Sequence, residues 1–368
     1  MLLIIFLSGA NLMAVIIPVT DLNVRNGLSP YNWVCKNDSI SSTVNGASIS
    51  LKFEHTRRVV LHVATDHLAT QVATRFPVIA WSVNGGAVQS YQLATRVNQV
   101  TLSTGIADPQ IELYLKGTSP FEDRFAGDLP VNSLKITGFS VDKGGAIARS
   151  EFPTKIWLNI GDSILSGDGA TLAKGQGRPP DDTWPASEDG RASYGYLIAR
   201  HYGYRESRIA YGGYNWGGGM AGIPALETLI DQTTSTVSRL VEGKLKPLPA
   251  VVMVNLGENG NPAEEEVVPS LLKLRSRVDE LTQIFVMVPI SGKARAEVKK
   301  AFDYYQNSTK DANCHLVDLG KWEFDTCDGG HPTAAGHRLI TDLALPVIDK
   351  IIGKQPFTVQ PDSLKTHE

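Results

Sequence analysis

Three short stretches of this chain carry the side chains that acyl transfer requires. Ser163 follows Gly161-Asp162 at the end of the apolar run "IWLNI", Asn259 closes "LGEN", and Asp328 precedes His331 in "DGGHP". A serine hydroxyl is a weak nucleophile near neutral pH and needs a base within hydrogen-bond reach. Imidazole serves when a carboxylate accepts from its other ring nitrogen and fixes one tautomer. Asp328 and His331 are three positions apart across two glycines, a spacing that lets the carboxylate fold back onto the ring. The tetrahedral intermediate also needs donors for its oxyanion. The main-chain amide of Ser163, an amide from the glycine-rich "GGYNWGGG" and the side-chain amide of Asn259 are the candidates.

Such groups converge only if the strands that carry them leave one sheet at the same rim. From Lys155 onward, the apolar runs "IWLNI", "SRIAY", "AVVMVNLG", "QIFVMVPI" and "CHLVDL" alternate with helical stretches, among them "ASYGYLIARHYG", "ALETLIDQTTSTVSRLVEG" and "TAAGHRLITDLALPVIDKII". This alternation predicts a doubly wound α/β domain over residues 151–353, a parallel sheet between two helical layers. Ligands in such sheets sit outside the carboxyl ends of the strands, where each candidate lies. Residues 18–150 have a shorter period. Runs such as "ASISLKFEH", "RRVVLHVATD" and "IELYLKGT", with turn residues between them, predict an antiparallel β-sandwich of jelly-roll type. The polar, proline-bearing "ARSEFPTK" joins the halves. Residues 1–17 open on an apolar run followed by small residues, which reads as a secretory leader cleaved near Ala10 or Ala14, although no basic residue precedes Arg25. A secreted or periplasmic protein is therefore expected. The tail, 354–368, lacks periodicity and is expected to be loose.

The formal charge of -3, without any Lys/Arg-rich run, gives no reason to expect a nucleic-acid partner. Downstream of the leader no stretch approaches the ~20 apolar residues a bilayer span needs. The three cysteines, Cys35, Cys314 and Cys327, lack metal-ligand spacing, so neither a metal nor another cofactor is expected; pairing of Cys314 with Cys327 stays open. His201 and His337 read as structural, and Asp162 as a turn stabiliser. Tyr31, Trp33, Trp81 and Tyr91 lie in alternating strands, where aromatics are more often core than platforms for sugar rings. The stretch 167–191 is a long irregular connection directly after Ser163. It is expected to wall a pocket, with Trp184 as a substrate-binding residue.

Taken together and in order, "GDSI" at 161–164, the glycine-rich turn at 212–219, "GEN" at 257–259 and "DGGHP" at 328–332 resemble the four blocks of the GDSL/SGNH hydrolase superfamily. The resemblance implies a flavodoxin-like α/β/α domain. It further implies Ser163 as nucleophile, His331 as base, Asp328 as its orienting partner, and Asn259 with a second-block glycine as oxyanion donors. In the second block Gly212, Gly213 and Gly217 are all available and a gap-free alignment meets Asn215; Gly213 is the expected donor. Gly260 stands where many members carry aspartate, and Ile164 where the family name has leucine. The layout of a β-sandwich before such a hydrolase is similar to that of two-domain carbohydrate esterases, including acetyl xylan esterases. The expected function is thus a serine esterase acting on a small acyl ester or an acetylated glycan. A catalytically silent glycan-binding protein and a longer-chain lipase or thioesterase are the alternatives.

Overall fold

The computed structural model describes residues 14–180 and 183–353. The first part of the leader and the 354–368 tail lie outside the described residues. Across the end of the 1–17 segment, Val15–Pro18 (β1) pairs with Leu134–Val141 (β10).

The N-terminal region holds two antiparallel sheets. One runs Val34–Cys35 (β2), Ile40–Ser42 (β3), β10, Arg58–Val63 (β5), Gln99–Thr104 (β8). The other runs Ala146–Ala148 (β11), Ser48–Glu54 (β4), Gln110–Gly117 (β9), Val78–Val83 (β6), Gln89–Gln92 (β7). Alternate residues of β5 and β10 (Val59, Leu61, Leu134, Ile136) share one core with those of β4 and β9 (Ile49, Leu51, Leu113, Leu115). Two faces of period-two strands thereby bury each other. Tyr31, Trp33 and Trp81 belong to this core, whereas Tyr91 on β7 is exposed. A six-residue helix, Leu22–Gly27 (α1), precedes β2.

The second region is built on a five-stranded parallel sheet of Ile156–Gly161 (β12), Arg205–Ala210 (β13), Val251–Asn255 (β16), Gln283–Met287 (β17) and Cys314–Val317 (β18), in the order β13-β12-β16-β17-β18. Strand periodicity sorts the helices into two layers. Leu158, Ile160, Val252, Val254, Ile284 and Val286 face Leu226–Asp231 (α5), Glu264–Arg277 (α6) and Arg295–Thr309 (α7). Trp157, Met253, Phe285 and Met287 face Tyr194–His201 (α4) and Ala334–Ile352 (α8). The chain reverses direction of winding between β12 and β16, and the crevice at their carboxyl ends is where this topology binds ligands. Among the described residues no helix is long and apolar enough to cross a membrane.

One helical expectation fails. The stretch 225–243 is helical only over α5, and then turns into a hairpin of Gln232–Thr234 (β14) and Val237–Ser238 (β15). Thr233, Thr234, Thr236 and Val237 are β-branched, stiff at χ1 and better accommodated on a strand. Arg239, buried just beyond, donates to the carbonyls of Leu229 and Gln232 and closes the hairpin onto α5.

Candidate active site

Where β12 ends, Asp162 caps a one-turn helix, Ser163–Ser166 (α2), by accepting from the Ile164 amide at 3.0 Å. Ser163 is thus the first residue of the turn and not its cap, and its hydroxyl points out of the sheet rim. The opposing wall comes from the segment between β18 and α8. There the Asp328 carboxylate folds back as its spacing requires: Oδ1 accepts from the amides of Gly330 (3.0 Å) and His331 (2.8 Å), and Oδ2 lies 2.8 Å from His331 Nδ1. A carboxylate can only accept, so Nδ1 carries the ring proton and Nε2 is left as the acceptor. Nε2 lies 3.0 Å from Ser163 Oγ. Burial works against the Asp328 charge, but the His331 amide and ring together with the Gly330 amide outweigh it and hold the carboxyl below its ordinary range. A hydroxyl, an imidazole and a carboxylate thus stand in a single hydrogen-bonded line.

Asn259 stands on the loop after β16 and donates through Nδ2 to the Tyr214 carbonyl at 3.0 Å, with Asp162 Oδ2 at 3.5 Å. The Gly260 departure has a conformational reason. Its φ is +147°, a region open to glycine and costly for aspartate. Support for Asn259 comes from Tyr214 and Asp162. Burial, and after it the charge of Glu258, pushes the Asp162 carboxyl up to about 8.

Ser163, Asn259, Asp328 and His331 open together on a cleft of about 500 Å³ that Arg178 and Lys293 also line. Two of the sequence candidates stand outside it. Gly213 has a left-handed backbone (φ +69°), but the direction of its missing side chain is filled by Met220, and it does not line the cleft. Trp184 is a correction. It opens a one-turn helix, Trp184–Ser187 (α3), is 2% exposed and forms no part of the cleft wall; it stands behind His331, its ring edge-on to the imidazole at 5.6 Å and its Nε1 donating to Asp168 Oδ2 at 3.3 Å. A large apolar ring with one donor is satisfied better by a buried carboxylate than by a wet cleft.

Several contributors went unread in the sequence. Arg178 stacks over Trp184 at 4.7 Å and lies 3.4 Å from Asp328 Oδ2. Lys293 pairs with Glu258 at 3.1 Å, and Glu258 accepts from the Ser291 hydroxyl at 2.6 Å. Asp168 is buried beneath the site; its position five residues after Ser163, in a second Gly-Asp pair, was the one available signal. His337 is buried and accepts from the Tyr194 amide at 3.3 Å; burial, then the charges of Arg208 and His331, press its ring down to about 3. Cys314 and Cys327 are both free thiols. Among the described residues no group of three or more His, Cys, Asp or Glu side chains is arranged to hold a metal ion.

Residues 158–344, just over half of the chain, match the family model for GDSL-like lipases and acylhydrolases. The chain belongs to this GDSL-like family. As a family member it is an ester hydrolase, and the matched span runs from β12 into α8, enclosing every candidate residue. No curated protein sequence matches it. Among solved structures it is similar to a family two carbohydrate esterase from Clostridium thermocellum in complex with cellohexaose (TM-score 0.70, 18% identity, 89% of this chain and 98% of that one). It is likewise similar to a family two carbohydrate esterase from Cellvibrio japonicus (TM-score 0.73, 14% identity, 92% and 98%). A third is the acetyl xylan esterase Est2A from Butyrivibrio proteoclasticus (TM-score 0.69, 15% identity, 92% and 99%). At these identities the likeness is one of fold, and it extends over both regions.

Proposed function

We propose that this GDSL-like hydrolase is a serine esterase that removes short acyl groups, acetyl foremost, from carbohydrate hydroxyls through an acyl-enzyme. The observation that carries the reading is the 3.0 Å contact between His331 Nε2 and Ser163 Oγ with Asp328 on the far side of the ring. Ser163 Oγ attacks the ester carbonyl carbon as its proton passes to His331 Nε2. Asp328 steadies the resulting imidazolium. The carbonyl oxygen, now an oxyanion, takes hydrogen bonds from the main-chain amide of Ser163 and from the Asn259 Nδ2 hydrogen that the weak 3.5 Å contact with Asp162 gives up. Collapse breaks the bond to the sugar oxygen, which leaves with the proton from His331. Water then attacks the acyl-enzyme, giving its proton to the same nitrogen, and Ser163 recovers it as the acid departs.

Two features favour a short acyl group on a sugar. The cleft carries Arg178, Glu258, Lys293 and Asp328 among its lining residues, and a fatty acyl chain would have to lie against these charges. The similar structures named above, described as carbohydrate esterases, support a sugar as the leaving group. The test is acetate release from acetylated polysaccharides by the wild type and Ser163→Ala. The reading expects release that the substitution abolishes. Glycan binding without release would favour a silent binding protein, and preference for long-chain esters a lipase.

A further inference from the structure

Glu112, Tyr114 and Lys116 occupy alternate positions of β9 and so project from one face. All three meet the segment that follows Ser163. Arg191 Nη1 donates to Glu112 Oε2 at 2.7 Å, the Tyr114 hydroxyl to the Asp189 carboxylate at 3.2 Å, and Lys116 Nζ to the carbonyls of Ala186 and Glu188 at 2.9 and 2.6 Å. Just beyond β9, the Thr118 amide donates to Glu188 Oε2 at 2.7 Å, and Asn45 Nδ2 reaches the same oxygen at 2.7 Å. The chain then passes against the glycine-rich turn and the residues just after it. Side chains at Gly212 and Gly222 would collide with Pro120 and Asp123 respectively, each at 2.9 Å.

Arg124 lies within this segment. It is 1% exposed, its guanidinium stands 4.9 Å over the Tyr211 ring, and its Nε and Nη2 have no hydrogen-bond partner. Its charge acts on Glu188 and Asp168. Asp168 Oδ2 and Arg124 Nη2 both approach the open side of Gly212, at 3.2 and 3.8 Å from where a Cβ would be. Asp168 in turn holds the backbone and the backing of the reacting groups: its amide donates to the Ser163 carbonyl at 3.0 Å, and its carboxylate accepts from the Ser166 hydroxyl and from Trp184, which backs His331. Burying one cation with two carboxylates is a poor way to gain stability, since apolar side chains of similar volume are often as stable or more so. What such a cluster supplies is a fixed orientation.

We propose that segment 118–125 of the N-terminal region is a positioning element of the active site, in which Arg124 balances the buried Asp168 and Glu188 and, through Asp168 and Trp184, holds His331 on Ser163. The proposal rests on the Ser163–His331 reading. It makes the N-terminal region a working part of the hydrolase in addition to any role in binding glycan.

The experiment measures kcat, KM and melting temperature for p-nitrophenyl acetate hydrolysis by the wild type, Arg124→Met, Arg124→Lys and the double variant Arg124→Met/Glu188→Gln. Misplacing reacting groups by about 1 Å costs roughly 100-fold, so Arg124→Met should lose about that factor in kcat with KM little changed. Arg124→Lys, and the double variant with one carboxylate neutralised, should each regain about tenfold of it if charge balance sets the position. A folded Arg124→Met whose kcat stays within about threefold of wild type, or a double variant no faster than the single one, overturns the proposal. Should Arg124→Met fail to fold, Trp184→Phe decides: it keeps a ring but loses the donor to Asp168, and unchanged kcat there refutes the chain of contacts. Ser163→Ala run in parallel reports on the nucleophile alone, so the two readings fail separately.

Discussion

Replacing Asp328 by Asn changes two atoms' chemistry and little of the shape. The amide oxygen can keep the acceptor role toward the Gly330 and His331 amides, which leaves the new NH₂ facing His331 Nδ1 at the 2.8 Å now spanned by a carboxylate. Two donors cannot share that contact, so the ring proton moves to Nε2, the nitrogen that must accept from Ser163. The loss has two parts. At an effective dielectric near 20, unit charges about 4 Å apart are worth about 4 kcal/mol, which is about 1,000-fold in rate if the whole interaction arises as imidazolium forms. The wrong tautomer adds roughly another tenfold, for a total near 10,000-fold, the scale expected when an orienting carboxylate becomes an amide. Asp328→Ala should lose less, since it deletes the acceptor without inserting a donor. The assay is kcat for p-nitrophenyl acetate, with a thermal melt to show the fold intact. A folded Asp328→Asn enzyme within about tenfold of wild type, or one faster than Asp328→Ala, would refute the orienting role.

Further outcomes concern the groups around this line. Asn259→Ala should lower kcat by about 100- to 1,000-fold with a small change in KM, because its donor is engaged mainly in the transition state; a change confined to KM contradicts this. Asp162 gives a pH dependence. Its carboxyl is raised from 3.8 to about 8 in the fold. Below pH 4 both folded and unfolded chains hold that proton; between about 4 and 8 the unfolded chain has released it, so its contribution to stability declines as pH rises, by at most about 1.4 kcal/mol per pH unit. Asparagine caps a helix as well as aspartate. The melting temperature of Asp162→Asn should therefore gain on wild type across that window, and a pH-independent offset would count against a raised carboxyl.

Strand ends were the most legible part of the sequence. Near-continuous apolar runs such as "IWLNI" and "VVMVN" end directly before Ser163 and the Gly257–Asn259 turn, and a parallel sheet brings those ends to one rim. Spacing alone also foretold the fold-back of Asp328, because two glycines leave the backbone free to close the turn. The misses share another cause. The stretch 225–243 spaces Leu226, Leu229, Ile230, Val237 and Leu240 as a helix does, while the β-branched side chains within 232–238 favour a strand, and tertiary packing by Arg239 settles the conflict. A tryptophan in a long loop suggests a pocket wall, but the partner of Trp184 is Asp168, sixteen residues away, and no spacing in the sequence ties the two together. Arg124 lies far along the chain from Asp168 and Glu188, and only the folded chain brings the three into electrostatic reach. Nothing in the periodicity of "EDRFAG" marks a buried arginine.

Covalent labelling tests the central claim most directly. A fluorophosphonate bearing a small alkyl group, incubated with the folded protein and followed by peptide mapping, should attach to Ser163 Oγ, abolish ester turnover in step with its incorporation, and fail to label Ser163→Ala. Labelling at another side chain, or full loss of turnover with Ser163 unmodified, would contradict the account.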